Sequence, residues 1–71
     1  MSFKVLSPLP GTILDIKVAE GQAIQAGECV VILEAMKMEN EIPSDFAGTV
    51  TKILVDKGAV VQSGDVLAEI D

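Results

Sequence analysis

Lys37 lies between Met36 and Met38 in the stretch Leu33-Glu34-Ala35-Met36-Lys37-Met38-Glu39-Asn40-Glu41, where Glu34, Glu39 and Glu41 crowd a single amine. A lysine is a nucleophile only as the free amine, so the chemistry open to Lys37 is acylation once something removes its proton. A plainer reading stands beside that one. Lysine is mostly a solvated surface residue and methionine a gap-filling core side chain, and spacing alone does not separate the two readings. Little else in the chain could react. With no histidine, one cysteine and scattered carboxylates, there is not enough to build a metal site or a Ser/His/Asp triad, and the chain is not expected to be an enzyme by itself. Cys29 has no partner for an intrachain disulfide and reads as a small core residue rather than a reactive thiol.

The elements that position Lys37 must come from one small domain, residues 1–71, close to the lower limit at which a core alone can hold a fold. Hydrophobic residues make up 49% of the chain but are spread through it. The longest uninterrupted apolar run, Cys29 to Leu33, is far short of a membrane span, so no direct membrane insertion is expected. Met1-Ser2-Phe3-Lys4 leads straight into an apolar strand with neither a signal-peptide core nor an arginine-rich transit segment, which points to a cytoplasmic location. Five basic residues against eleven acidic ones, a net charge of -6, argue against nucleic acid as a partner and suit a basic protein surface.

A duplication runs through the chain. Sliding residues 44–71 onto 7–34, a shift of 37, brings together Ser7/Ser44, Gly11/Gly48, Thr12/Thr49, Ile16/Ile53, Val18/Val55, Gly21/Gly58, Gln25/Gln62 and Gly27/Gly64 without a gap. Two similar half-folds related by an approximate twofold follow, and only the bridge from Ala35 to Pro43 is without a counterpart in that alignment. Within each half, short apolar strands alternate with glycine turns. Phe3 to Leu6 is a strand, and Ser7-Pro8-Leu9-Pro10-Gly11 breaks it. Thr12 to Val18 alternates with Leu14, Ile16 and Val18 facing inward, and Thr49 to Val55 does so with Thr51, Ile53 and Val55. Cys29 to Glu34 and Val66 to Ile70 are the β-branched closing strands. The spacing predicts an all-β fold, a flattened barrel or sandwich of two antiparallel sheets. The six glycines fall in repeat pairs and read as turn glycines rather than a phosphate-binding cluster.

The bridge is where local preference and fold disagree. Its Leu, Glu, Ala, Met and Lys residues are strong helix formers, yet the run is two turns at most, uncapped and set between β segments. A hairpin fits better, with one strand up to Glu34, another from Met38 to Ile42, and a reversal at Met36 and Lys37. Tight two-residue turns prefer Asn-Gly or Asp-Gly, so Met-Lys is a poor choice for the geometry, and a functional constraint is the first suspect.

Ala35-Met36-Lys37-Met38 resembles the Ala-Met-Lys-Met signature of biotinyl domains, the carriers of biotin-dependent carboxylases, decarboxylases and transcarboxylases. Ser7-Pro8-Leu9-Pro10-Gly11-Thr12 looks like that family's S-P-M-P-G-T segment, with Leu9 where methionine is usual. The related lipoyl domains usually carry Asp-Lys-Ala at their lysine, so methionine on both sides favours biotin. The gapless repeat leaves no room for the protruding thumb of common bacterial acetyl-CoA carboxylase carriers, and the chain is more similar to the thumbless domains.

The resemblance implies covalent biotin on Lys37, with Ala35, Met36 and Met38 as the flanks of the attachment motif. It implies as partners a biotin protein ligase, which loads the lysine, and biotin carboxylase and carboxyltransferase or decarboxylase subunits, between which CO2 travels as carboxybiotin. A ligase is needed on chemical grounds too, because an ordinary lysine is neutral in only about one molecule in a few thousand at pH 7. Glu34 and Glu39 are either contacts for that ligase or simply solvated. The alternatives that remain are a lipoyl-type carrier and an unmodified β interaction module.

Overall fold

The computed structural model describes residues 2–71, which form eight strands and no helix. The strands are β1 (Phe3–Leu6), β2 (Gly11–Ile16), β3 (Ala23–Ile24), β4 (Cys29–Ala35), β5 (Met38–Pro43), β6 (Gly48–Ile53), β7 (Val60–Val61) and β8 (Val66–Ile70). They make two four-stranded antiparallel sheets, one in the order β1-β8-β6-β3 and the other β5-β4-β2-β7. The inner faces share one core built from Ile13, Ile24, Val30, Leu33, Val50 and Ile70 with their neighbours, each of these six at most 2% exposed. The expected all-β sandwich with pseudo-twofold symmetry is what forms.

The symmetry is more complete than the linear alignment suggests. Val5 of β1 pairs with Ala68 as Ile42 of β5 pairs with Val31, and Lys4↔Glu69 matches Glu41↔Ile32 in the same way. The shift of 37 therefore continues past the end of the chain and back to its start, so β5 is the counterpart of β1. The bridge was expected to be unrepeated as a whole. Its residues 39–43 match residues 2–6, and the turn at Met36 and Lys37 has no matching residues.

Two buried serines tie the halves together in matching ways. Ser44 Oγ donates to the Phe46 carbonyl and Ser7 Oγ to the Leu9 carbonyl, each at 2.6 Å. The Gly27 amide donates to the Ser44 carbonyl at 2.7 Å and the Gly64 amide to the Ser7 carbonyl at 2.8 Å. Each serine is 1% exposed, so leaving its hydroxyl unpaired would carry the full cost of burying a polar group.

Several local expectations need correction. The expected strand Thr12 to Val18 is Gly11–Ile16, and Thr49 to Val55 is Gly48–Ile53. Leu14, Ile16 and Val18 were to face inward together, but a bulge places Ile13 opposite Leu33 and Asp15 opposite Ile32, leaving Leu14 as the extra residue. Ile13 is buried in consequence, Leu14 and Ile16 are half-buried, and Val18 reaches the core beyond the strand. The bulge recurs in β6, where Val50 pairs with Ile70, Lys52 with Glu69, and Thr51 is exposed instead of inward. The two-residue strands β3 and β7 are too short to show a period. Cys29 is half-buried at the start of β4 rather than in the core.

Of the six glycines, Gly21, Gly27, Gly58 and Gly64 have positive φ, as turn residues should. Gly11 and Gly48 instead sit in strands. A Cβ at Gly11 would collide with the Glu34 carbonyl oxygen, and one at Gly48 would lie 2.8 Å from that of Asp71, so glycine there lets the neighbouring strand come close.

The bulge makes a sharp prediction. Val50→Ala removes fully buried methyl groups and should destabilise the domain by about 2 kcal/mol. Thr51→Ala, one residue away, should cost under about 1 kcal/mol, since it loses only an exposed hydrogen bond to the Glu69 carbonyl. Urea unfolding of the two variants measures the difference.

Candidate functional site

β4 and β5 pair in register from Val31↔Ile42 to Ala35↔Met38, which leaves only Met36 and Lys37 to reverse the chain. Both take left-handed backbone conformations, with φ of 55° at Met36 and 62° at Lys37. Positive φ at both central residues is the type I′ turn, whose twist matches that of the flanking strands. For residues with a Cβ this conformation costs about 1–2 kcal/mol each. They are the only described non-glycine residues with positive φ, so the strain is confined to this tip.

The side chains follow from the backbone. Ala35 is 6% exposed and closes the end of the core, while Met38, its cross-strand mate, is 64% exposed. Met36 is 87% exposed and Lys37 is exposed beside it. Glu34 and Glu39 face each other across the hairpin, both exposed, and no ion pair links either of them to Lys37. With Met36, Lys37 and Met38 all exposed, the amine stands in open solvent at the end of the paired strands. The structure thus brings Ala35, Met36, Lys37 and Met38 together at one tip. The methionines are not core residues.

Asn40 is the contributor that the sequence did not reveal. Its Nδ2 donates to the Met38 carbonyl at 3.2 Å and, more weakly, to the Leu33 carbonyl at 3.5 Å, clamping the last rungs of the hairpin from its side. An asparagine in a strand-forming run is a weak strand former, and that misfit was the available signal. Cys29 stays apart from the tip. Its Sγ–H donates to the Val31 carbonyl at 3.3 Å, and burial followed by the nearby Glu41 carboxylate pushes the thiol above its usual pKa. Asp15 and Lys17 form an exposed ion pair at 3.1 Å. The hydrogen bond to Lys17 holds the Asp15 carboxyl below its ordinary pKa, and its counterpart raises Lys17.

An exposed lysine at a strained turn, projected by a duplicated β frame, is the arrangement of a covalent carrier. A profile described as "Biotin-requiring enzyme" matches residues 4–70. The chain belongs to that family. Within it, the chain is 46% identical over 66 residues to the biotin-dependent acyl-coenzyme A carboxylase alpha3 subunit of Mycobacterium leprae, covering 93% of this chain and 11% of that one. It is 48% identical over 64 residues to the biotin carboxyl carrier protein of Streptococcus mutans, covering 90% of this chain and 49% of that one. Its fold superposes on part of the urea carboxylase of Kluyveromyces lactis with a TM-score of 0.94 at 34% identity, over 100% of this chain and 6% of the other. The chain therefore spans about half or less of the length of these family members.

The tip geometry predicts opposite effects for two substitutions. Met36→Gly relieves a left-handed residue and should raise stability by about 0.5–1 kcal/mol after the added flexibility of the unfolded chain is counted. Asn40→Ala removes the clamp and should lower it by about 1 kcal/mol. Thermal unfolding of both variants under one set of conditions checks the signs.

Proposed function

We propose that this chain is the biotin carrier of a biotin-dependent carboxylase-type enzyme, with biotin joined through an amide to Nζ of Lys37. The observation that carries the reading is the placement of Lys37, an exposed amine on a two-residue turn, in a chain of this family. The tip residues Met36, Lys37 and Met38 are exposed, so an appended group has room there. Biotin is the covalent cofactor, and the chain is a carrier rather than a catalyst. When attached, biotin accepts and releases CO2 on its ureido ring.

The residues of the chain present the arm. The β4–β5 pairing and the Asn40 clamp hold the attachment point still, and the left-handed turn aims it away from the sandwich. Tethering then raises the arm's local concentration at neighbouring active sites to roughly the millimolar range without any new contact. Those sites belong to biotin carboxylase and to carboxyltransferase or decarboxylase partners, and a biotin protein ligase supplies the activated biotin and removes the lysine proton. The related proteins named as carboxylases support the first partners, and the ligase follows from the need to activate an amine that does not acylate itself. Among the described residues no helix is long and apolar enough to cross a membrane.

Incubating the purified chain with biotin ligase, ATP and biotin should add the mass of one biotinyl group, mapped to Lys37 by peptide fragmentation. Lys37→Arg should take none. Offering lipoate ligase and lipoate in competition should leave the product unchanged, and a lipoylated product or an unmodified chain would overturn the reading.

A further inference from the structure

Met36 and Met38 are the two most conspicuous apolar groups on this surface apart from Val60, at 87% and 64% exposed against 72%. Neither serves the core, which ends at Ala35. Their thioethers flank the one amine that the proposed function uses, so any protein that reaches Lys37 must meet them first. We propose that Met36 and Met38 form an oxidation site, and that their conversion to sulfoxides reversibly blocks loading of Lys37. The inference rests on the carrier reading of Lys37.

The chemistry is an oxygen-atom transfer from hydrogen peroxide. The sulfur lone pair attacks one peroxide oxygen, the O–O bond breaks, an S–O bond forms, and the second oxygen leaves as water after proton transfer. Sulfur gives up two electrons and peroxide takes them. An exposed thioether needs no prior ionisation for this, whereas a thiol reacts as the thiolate. Cys29 is half-buried and its thiol donates to the Val31 carbonyl, whereas Met36 and Met38 stand in solvent, so the tip thioethers are the more accessible sulfurs among the described residues.

The consequence follows from position. A sulfoxide turns a flexible apolar side chain into a polar, chiral one. At a buried site that would unfold the protein. Here both side chains project into solvent from a backbone fixed by six cross-strand pairs, so the frame keeps its shape and only the surface offered to the ligase changes. Methionine sulfoxide reductases, one for each epimer, restore the thioethers, which makes the block reversible.

The test uses the whole chain. After limited hydrogen peroxide treatment, peptide mapping should show sulfoxide at Met36 and Met38 while Cys29 remains a thiol, with Met1 resolved on its own peptide. Circular dichroism should be unchanged. Ligase loading of the oxidised chain should fall at least tenfold in kcat/KM, chiefly through KM, and recover after treatment with both reductases. In the M36L/M38L chain, loading should be the same before and after peroxide. A reduced chain that loads while the doubly oxidised chain loads within twofold of it overturns the inference alone. So does a fall that persists in M36L/M38L or survives the reductases, which would trace it to another group. A reduced chain that takes no biotin removes the carrier reading and this inference together.

Discussion

The pairing of Ala35 with Met38 is the constraint from which the rest of the tip follows. Once those residues are opposed, two residues must turn the chain, and turns that match right-twisted strands need positive φ at the first central residue or, as in the type I′ turn here, at both. Glycine and asparagine would satisfy that requirement cheaply. This chain places Met and Lys there instead, at φ of 55° and 62°, against a penalty of about 1–2 kcal/mol each. A domain of this size has only a few kcal/mol of stability to spare. The strain persists because six cross-strand pairs, the Asn40 clamp and the buried Ala35 over-determine the conformation. Under the proposed function, pre-organisation is the return: a group attached at a root that does not wander loses less entropy on entering a partner's active site.

The remainder of the fold can be seen as the machinery that keeps this one hairpin rigid. β4 is the central support, pairing with β5 on one side and β2 on the other, and its inward residues Val31, Leu33 and Ala35 are nearly excluded from solvent. Gly11 lets β2 press against Glu34 one residue below the buried alanine, where a Cβ would force the strands apart. The twofold repeats this arrangement at Gly48 and Asp71. At that position, however, the end of the sandwich is finished by Phe3 stacked on Phe46, ring centroids 3.9 Å apart and nearly parallel. Phe3 is the counterpart of Asn40. The duplicated frame thus ends in an aromatic stack on one side and in a polar clamp on the other.

How much of this was legible in the sequence depended on range. The duplication, the all-β class and the hairpin at Met36-Lys37 rest on repeat spacing and on a conflict between helix propensity and context, and each survives in the structure. The facing of β2 and β6 did not survive. A bulge adds one residue to a strand, and period-2 reasoning has no means of locating it, so Leu14 and Thr51 were assigned the inward places that Ile13 and Val50 hold. Having the same bulge in both halves disguised it, since the two strands agreed with each other while both were misread. Asn40 escaped notice for a different reason. Its role is to donate to the Met38 carbonyl, and such a bond leaves no periodic trace.

The twofold also supplies an internal control for deciding which surface features matter to function. Positions that differ between matched halves cannot be explained by the shared frame, because the frame is satisfied by either residue. On the outer faces, the row Glu41–Ile32–Asp15 on the sheet that carries the hairpin corresponds to Lys4–Glu69–Lys52 on the other. Glu34 and Glu39 add two carboxylates at the hairpin, while Lys17 pairs with Asp15 on the same sheet. The scaffold sets no such requirement. Under the proposed function, the carboxylates around the hairpin favour approach by basic surfaces at rates that fall as salt rises, and Lys37 is the lone cation of the hairpin itself. On that reading, placement of Lys37 by the backbone and the charge of the surface around it are separable properties, and a substitution can alter one while the other is kept.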